Sequence, residues 1–456
     1  MKPSAGLSWP GIFRLGLVQA MLGAVVVLTT STLNRVMVVE LALPALLPGL
    51  LVALHYAVQM TRPRMGYGSD LGRRRTPWIL GGMAVLALGG FGGAVATACM
   101  GTDRVAGMAL AVLSFALVGL GVSAAGTSLL VLLAKRVAAE RRAAAATTVW
   151  VMMIVGFAVT AGLAGQWLDP YSPQRLMAVS AVVSILAVVV AALALRGLEN
   201  VEPVAPAAAP SARPDFRAAL REVWRDADAR RFTAFVFVAM LAYSTQDLIL
   251  EPFAGAIHGF TPGESTRLAG VQHGGVLLGM LMVAAAGTVA RRPGLAWLGS
   301  LRGWTLGGCI ASAIALAGLA AAGVVGAAGG AWPLRENVFL LGVANGAFSI
   351  GAIGSMMQLA SQGRASREGV RMGLWGAAQG IAFGLGGLAG TAASDLARWL
   401  IAQPGVAYAC VFAFEAGLFA LSALLARRIV IPSEPTPAPL PESSAPAGLT
   451  LASSNR

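Results

Sequence analysis

The chain has 456 residues, of which 57% are hydrophobic and only 12% are charged, and its mean hydropathy is +0.74. This balance excludes a soluble globular protein and predicts an all-α polytopic membrane protein. The net charge of +13 does not indicate a nucleic-acid partner, because the basic residues are confined to particular loops. The three cysteines lie in apolar runs without metal-ligand spacing, and we interpret all three as packing residues: Cys99, Cys309 and Cys410.

Apolar runs of spanning length predict twelve transmembrane helices. Arginine and lysine gather in alternate loops, for example at 73–75 and 135–142. By the positive-inside rule, this distribution places both termini in the cytoplasm. The predicted spans are 12–36, 44–62, 77–99, 107–133, 146–166, 175–197, 231–254, 267–290, 298–325, 335–360, 371–392 and 404–426.

The spans predict two halves joined by a connector. The N-terminal six-helix half covers 1–197, and the C-terminal six-helix half covers 231–428. The cytoplasmic linker between them, 198–230, begins Pro/Ala-rich and ends in a predicted amphipathic helix that lies at the lipid surface. The tail, 429–456, is rich in Pro, Ser and Ala and is predicted to be disordered.

A constant shift of 218 residues indicates an internal duplication that relates the second span to the eighth. The shift aligns Pro44 with Pro262, Leu50 with Leu268, His55 with His273, and Arg73–Arg74 with Arg291–Arg292.

The first span ends in charged residues, TLNRVMVVEL at 32–41. Asn34, Arg35 and Glu40 follow an uncharged run at 16–33. A charge at bilayer depth costs roughly 2.5–3.5 kcal/mol on insertion scales and rarely faces lipid. We therefore interpret this stretch as one wall of an internal cavity, with these three residues as cavity or gating groups.

The loop after the second span, GYGSDLGRRR at 66–75, resembles the loop 2–3 signature of the major facilitator superfamily, one residue shorter than the common spacing. Glycines permit a tight turn, and the arginines anchor at anionic headgroups. The resemblance implies a cytoplasmic latch between the two halves. Its residues are Gly66, Asp70, Gly72, Arg73, Arg74 and Arg75.

The seventh span repeats the theme of the first with YSTQDLILEP at 243–252. Gln246, Asp247 and Glu251 lie toward the end opposite the termini and are predicted cavity or gating groups. In the superfamily fold spans 1 and 7 face each other, so we expect Arg35 to meet Asp247 or Glu251. At ~4 Å and an effective dielectric of ~20 such a pair is worth about 4 kcal/mol. A structural ion pair and a role in gating or ligand binding both stay open.

Together, TLNRVMVVEL, GYGSDLGRRRTPWI and QDLILEP resemble the PucC/LhaA family, the bacteriochlorophyll-delivery branch of the major facilitator superfamily. The resemblance extends from about Phe13 to Arg428. It implies two six-helix halves with that superfamily's architecture in a bacterial inner, intracytoplasmic photosynthetic membrane. It also implies light-harvesting complex assembly, with bacteriochlorophyll, antenna polypeptides or pigment-synthesis enzymes, and membrane lipids as partners.

A pigment-handling protein needs an apolar slot and a ligand for magnesium. His55 and His273 are the candidates, because imidazole can supply that ligand and both lie in apolar spans. A hydrogen bond to a neighbouring helix is the alternative role for each. Bacteriochlorophyll or a precursor is expected as cargo, with no other cofactor.

The last two spans add one acidic residue and one small-residue face. Glu415 lies near the middle of the twelfth span without a local basic partner, so it is either a proton-coupling group or a neutral, hydrogen-bonded carboxyl. In the eleventh span Gly376, Gly380 and Gly384 predict a face for close helix contact.

Three functions are compatible with a chain of this class. A pigment carrier or antenna assembly factor is favoured by the resemblance. An ordinary secondary transporter of a small solute or drug is the alternative, with Arg35, Asp247, Glu251 and Glu415 as coupling charges. An enzyme of tetrapyrrole or prenyl chemistry is disfavoured, because no loop carries a magnesium-binding aspartate pair and no nucleophile–base set is evident.

Overall fold

The computed structural model describes residues 6–62, 74–138, 141–200, 224–289, 299–361 and 368–428. Within these ranges the chain forms twelve long helices and no strand, which confirms the predicted all-α fold. The helices are α1 Trp9–Glu40, α2 Leu46–Thr61, α3 Thr76–Met100, α4 Arg104–Arg136, α5 Arg142–Trp167, α6 Pro173–Leu195, α7 Ala227–His258, α8 Pro262–Val289, α9 Leu301–Ala327, α10 Leu334–Ser361, α11 Glu368–Leu400 and α12 Pro404–Arg427.

The helices have the length and composition that a bilayer requires. Ten of them, in their described parts, are long and apolar enough to cross a membrane, and α2 is a shorter apolar helix. Since consecutive helices alternate in direction, the start of α1 and the end of α12 share one end of the bundle. We call this the terminal end, and the opposite end, with the α1–α2, α5–α6 and α7–α8 loops, the distal end.

Local sequence determines where several distal helices begin. Asp103 accepts hydrogen bonds from two backbone N–H groups of the first turn of α4, both at 3.0 Å. Ser172 caps α6 in the same way, with Pro173 as its first residue. Thr261 and Glu264 form a reciprocal capping box at the start of α8. Such caps satisfy the N–H groups that a helix cannot pair internally.

Helix packing repeats between the two halves. In the first half α1 packs against α5 and α6, α3 against α4 and α6, and α2 against α4. The equivalent pairs recur six helices later. In the second half α7 packs against α11 and α12, α9 against α10 and α12, and α8 against α10. Two seams between the halves are also equivalent, α2 with α11 and α8 with α5. This pattern agrees with the predicted shift that places α2 over α8.

Several helices extend beyond their predicted spans, most of all α11, which continues to Leu400 instead of ending at residue 392. The first helix continues to Glu40, and its hydrogen bonding widens to π-helical geometry at Leu28–Thr32 and again at Val36–Glu40. The seventh begins at Ala227, inside the predicted linker. Most of that linker, including most of its amphipathic segment, and the predicted tail at 429–456 lie outside the described residues.

Candidate functional site: a distal clamp and two seams between the halves

The polar end of α1 is buried between the two halves. Asn34 and Arg35 are 1% and 2% exposed, and they lie between the two π-helical segments. A π-helical turn is frequent at functional sites because it changes the direction of side chains within one helix. The predicted cavity wall therefore lies inside the protein, where the rest of the bundle must supply partners for its polar groups.

Arg35 holds the centre of this region, although its ionic partner differs from the predicted one. Its Nη1 pairs with Glu40 of the same helix, and its Nη2 donates to the backbone oxygen of Phe260 at 2.6 Å. A Cβ at Gly255 would lie 2.8 Å from Nη2, so glycine permits this close approach. The direct ion pair that the structure describes is with Glu40, because the π-helical turn brings this carboxylate to the guanidinium, whereas Glu251 lies only within electrostatic range of Arg35.

Three further hydrogen bonds join α1 to the second half. Asn34 Nδ2 donates to the backbone oxygen of Leu248 at 2.6 Å, and Ser31 Oγ donates to Glu251. The hydroxyls of Thr32 and Thr266 lie 3.1 Å apart. Gln246, also predicted here, is fully buried, and neither of its amide atoms has a described hydrogen-bond partner. We call these α1 contacts, with Arg35 and Glu40, the distal clamp.

Two aspartates that the sequence did not single out connect the halves at the same end. Asp395 of α11 accepts from Ala45 N at 2.9 Å and from Leu46 N at 2.7 Å, so it caps α2. Asp169, after α5, accepts from Gly263 N at 3.2 Å. Its second oxygen pairs with Arg267 Nη2 at 3.3 Å, so it caps α8. An aspartate from each half thus caps a helix of the other half, and we call these two contacts the distal latches.

Asp247 lies one helical turn before Glu251 in α7, so its carboxyl group is further from the distal end than the clamp is, near the α2–α11 seam. Asp247 is half-buried and lies within electrostatic range of Tyr56, Tyr243 and Glu415. The Phe383 ring lies between the two tyrosines, with centroids 5.8 and 5.9 Å away. Glu415 is fully buried, and neither carboxyl oxygen has a described hydrogen-bond partner. Such a carboxyl is stable only in its neutral form or beside a ligand that supplies a donor.

The two histidines occupy equivalent positions but different environments. His55 is 2% exposed, and its Nε2 lies 2.8 Å from Gln59 Nε2. His273 is half-buried in the α5–α8 seam, where its ring lies 5.0 Å from that of Phe157. None of the described residues forms a hydrogen bond to the His273 ring, and its Nδ1 is buried. The Nδ1 of His55 is also buried without a described partner, so His273 differs in that neither of its ring nitrogens forms a described hydrogen bond.

The predicted latch loop lies mostly outside the described residues, as do Gly66, Asp70, Gly72 and Arg73. Arg74 is exposed, and Arg75 directly precedes α3. The carboxylate of Glu199, which follows α6, accepts from the backbone N–H of Arg75 and, at 3.0 Å, from that of Thr76. Burial raises the pKa of Glu199, but these two hydrogen bonds, a third with the Thr76 side chain and the charge of Arg75 together outweigh burial and hold the pKa below its usual value. Glu199 therefore caps α3 at the terminal end.

Replacing this cap should lower stability in a pH-dependent way. We expect Glu199→Gln to reduce the free energy of unfolding by about 1 kcal/mol at neutral pH, as for loss of a helix cap. Because the folded pKa is lowered, the stabilisation is complete above the ordinary glutamate pKa of about 4.3 and is lost as pH falls toward the folded value. Thermal unfolding in detergent from about pH 7 to about pH 3, below the ordinary glutamate pKa, measures the difference.

The control for this prediction is Glu336→Gln. Glu336 is exposed at the start of α10 and forms no described hydrogen bond or ion pair. In detergent without added lipid, its replacement should leave the unfolding temperature of the wild type unchanged at each pH. A difference between wild type and Glu199→Gln that widens on acidification would contradict the assigned cap.

Solved structures share this helix arrangement. Crystal structures of a mutant of the nucleoside transporter NupG and of a mutant of the peptide transporter POT with sulfate superpose with TM-scores of 0.64 and 0.67. Each is 13% identical in sequence to this chain. The match with NupG covers 92% of this chain and 99% of the NupG chain, and the match with POT covers 94% of this chain and 96% of the POT chain. Identity this low establishes the fold alone. The chain has the twelve-helix fold of major facilitator superfamily transporters.

Sequence comparison identifies the family. A sequence model described as "PUCC protein" matches residues 32–434, and the chain belongs to the PucC family. The "Bacteriochlorophyll synthase 44.5 kDa chain" of Rhodobacter capsulatus is 51% identical over 93% of this chain and 96% of that protein. "Protein PucC" of Cereibacter sphaeroides is 31% identical over 92% of this chain and 94% of that protein. The resemblance found in the sequence motifs is confirmed.

Proposed function

We propose that the protein carries bacteriochlorophyll or a precursor as cargo and delivers it during assembly of light-harvesting complexes. The names of two relatives support this proposal. One is the "Bacteriochlorophyll synthase 44.5 kDa chain" of Rhodobacter capsulatus, and the other is "Protein PucC" of Cereibacter sphaeroides. The proposed location is the intracytoplasmic photosynthetic membrane of a phototrophic bacterium, with both termini cytoplasmic, as the distribution of basic residues indicates. Antenna polypeptides or pigment-synthesis enzymes are the proposed partners.

The His273 imidazole carries the proposal. It lies beside Phe157 in a seam that also contains Ile154, Val276 and Met280, three buried apolar residues from both halves. A magnesium tetrapyrrole needs an apolar surface for its ring and one nitrogen or oxygen ligand for its metal. This seam offers both, and a seam between two halves can widen when they move. His273 is therefore the proposed axial ligand, ahead of His55.

We propose a carrier rather than an enzyme. The fold is that of transporters, and the polar groups of α1 and α7 hold helices together in the distal clamp. No group of three metal-binding side chains occurs in the part of the chain that the structure describes. The function that fits these features is binding and release of a finished or nearly finished pigment.

Complementation of a phototroph that lacks this gene tests the proposal. We expect the deletion to lower antenna absorbance while pigment synthesis continues, and the wild-type gene to restore it. His273→Leu should restore little, because loss of about 1.4 kcal/mol of binding weakens affinity about tenfold. His55→Leu is the matched control and should restore most of the absorbance. Normal antenna levels in the deletion strain would refute the proposal.

Transport of a small solute is the second candidate, and one observation favours it. Asp247 is only half-buried beside Tyr56 and Tyr243, and Glu415 is buried without a described partner. Carboxyl groups of this kind inside a membrane mark ion or proton pathways in many transporters. A purified protein without pigment, and proton-dependent uptake abolished by Asp247→Asn, would select this function instead.

A further inference from the structure

A recess at the distal end belongs neither to the clamp nor to the two seams. It lies where α7 and α9 end and α10 begins, and its volume is about 550 Å³. Its lining combines aromatic rings, an imidazole and two side chains of opposite charge, chiefly His258, Phe260, Trp332, Arg335 and Glu336. Ligand sites in proteins commonly have this size and this mixture of apolar surface with few polar groups.

The two charged side chains of the recess are not paired with each other. Arg335 and Glu336 are consecutive in the first turn of α10, and consecutive helical residues point about 100° apart. Both are exposed, and no ion pair of either occurs among the described residues. The guanidinium of Arg335 is held 5.9 Å from the centroid of the Phe260 ring. The recess thus presents a cation beside an aromatic ring and a separate anion.

The remaining lining supplies apolar surface and one unused polar atom. Trp332 is half-buried, and its Nε1 donates to Asn337 Oδ1 at 3.2 Å, which orients the indole. His258 Nε2 is buried without a described hydrogen-bond partner. A Cβ at Gly326 would lie 3.1 Å from the His258 ring, so the glycine leaves room for the imidazole. An aromatic floor with polar edges suits a ligand that is itself part apolar and part charged.

We propose that this recess binds a zwitterionic amphiphile that carries a phosphate and an ammonium group. The phosphate is placed at Arg335, because guanidinium is a strong phosphate partner. The ammonium is placed at Glu336, and the apolar body lies on Trp332, since Arg335 lies over the Phe260 ring. A purely anionic amphiphile would meet the Glu336 carboxylate without compensation, and a neutral one would leave both charges unused.

Occupancy of the recess would act on the distal clamp through one residue. Arg335 lies over the ring of Phe260, and the backbone oxygen of Phe260 accepts from Arg35 Nη2. A ligand that fixes Arg335 therefore also fixes the loop that holds the clamp arginine. The expected consequence is a bound molecule that favours the closed distal end.

Native mass spectrometry of the purified full-length protein tests the site with phosphatidylethanolamine, phosphatidylglycerol and soluble phosphoethanolamine. We expect phosphatidylethanolamine to bind more tightly than phosphatidylglycerol. Arg335→Gln and Glu336→Gln should each weaken it roughly tenfold, as for loss of one charge-assisted hydrogen bond. Arg104→Gln is the control, since Arg104 is an exposed residue at the start of α4, outside the recess, and it should change nothing.

The outcomes separate the two sources of this chemistry. Binding of soluble phosphoethanolamine, abolished by the same two substitutions, supports the site with a free zwitterion as ligand. Binding of the lipid alone supports the site with a membrane lipid as ligand. Equal affinity for phosphatidylglycerol, or unchanged affinity in both recess variants while their unfolding temperatures match the wild type, overturns the proposal.

Discussion

Arg35→Ala is expected to open the distal end and to lower the free energy of unfolding by about 3 kcal/mol, the lower part of the range for breaking a buried ion pair. The guanidinium is buried, and its loss leaves both the Glu40 carboxylate and the Phe260 carbonyl without their donor. The lower part of the range applies because Glu40 is 33% exposed, so water screens the pair.

Two measurements check this prediction. Thermal unfolding in detergent gives the stability, and maleimide labelling gives the conformation, with a single cysteine at position 269 in a cysteine-free background. Ala269 is 3% exposed and packs against Val27 and Ala161 of the other half, so labelling requires the halves to separate. We expect slow labelling in the parent protein and fast labelling with Arg35→Ala. Equal labelling rates would show that Arg35 does not hold this end closed.

Double-mutant cycles identify the partner of Arg35. Arg35→Ala with Glu40→Ala should give a coupling energy of roughly 1–3 kcal/mol, as for residues in direct contact. Arg35→Ala with Asp247→Asn should give additive effects, within about 0.5 kcal/mol. Strong coupling to Asp247 would restore the partner that the sequence predicted and contradict the observed geometry.

The combined substitution Asp169→Asn/Asp395→Asn should shift the protein toward an open distal end as strongly as the loss of Arg35. Each aspartate uses both of its oxygens as acceptors, whereas an asparagine has one acceptor and one donor. Each exchange removes one hydrogen bond to a charged acceptor at a partly exposed site, worth about 1–2 kcal/mol, so the pair is worth about 2–4 kcal/mol. That energy corresponds to a shift of roughly 30- to 1,000-fold in a two-state equilibrium.

The latch prediction has a matched control in the first half. Asp103 also caps a distal helix, but its partners, Val105 and Ala106, belong to the same helix α4. Asp103→Asn should therefore leave labelling at position 269 unchanged, whereas each single latch variant should raise it and the double variant should raise it most. A double variant that labels no faster than Asp103→Asn would exclude the latches as a closing device.

The twelve helices follow from the sequence because a bilayer permits few alternatives. In lipid each backbone polar group must be paired, so an apolar run of spanning length forms a helix. The helix ends were less predictable. Residues 37–40 of α1 include the exposed Glu40, yet the helix continues through them, because Met37 and Val38 are buried and the Glu40 carboxylate pairs with Arg35.

The partner of Arg35 was not predictable from helical periodicity. At 3.6 residues per turn, residues five apart point about 140° away from each other, so Glu40 was an unlikely partner. The π-helical segment Val36–Glu40 changes that relation and brings the carboxylate to the guanidinium. The sequence placed both residues at the cavity wall but contained no signal for the change in helix type.

The close helix contact of α11 also differs from the predicted one. Gly380 has open space where a Cβ would lie, a Cβ at Gly384 would lie 3.5 Å from Tyr56, and the surroundings of Gly376 lie outside what the structure describes. The tight contact with α7 is made instead by Gly386 and Gly390, where a Cβ would lie 2.6 Å from Leu241 or Thr245. Both sets of glycines have four-residue spacing, so spacing alone does not identify the buried face.

The two latches had no pattern in the sequence. Asp169 and Asp395 lie near distal loops, where an aspartate is ordinarily a solvated residue. Their partners are mostly backbone N–H groups, and in the case of Asp395 they lie some 350 residues away in the chain. The prolines Pro44 and Pro262 indicate that helices begin nearby, at Leu46 and at Pro262 itself. Which carboxylate caps each of these helices follows only from the folded arrangement, in which it comes from the other half.

The most direct test of pigment handling measures bacteriochlorophyll bound to the protein purified from a phototroph in mild detergent. We predict pigment absorbance with the wild type, and resonance Raman bands of magnesium bound to one axial ligand. We also predict loss of roughly nine-tenths of the pigment with His273→Leu, equal to about 1.4 kcal/mol, and retention with His55→Leu. A folded His273→Leu protein that carries as much pigment as the wild type would contradict the proposed role of this seam.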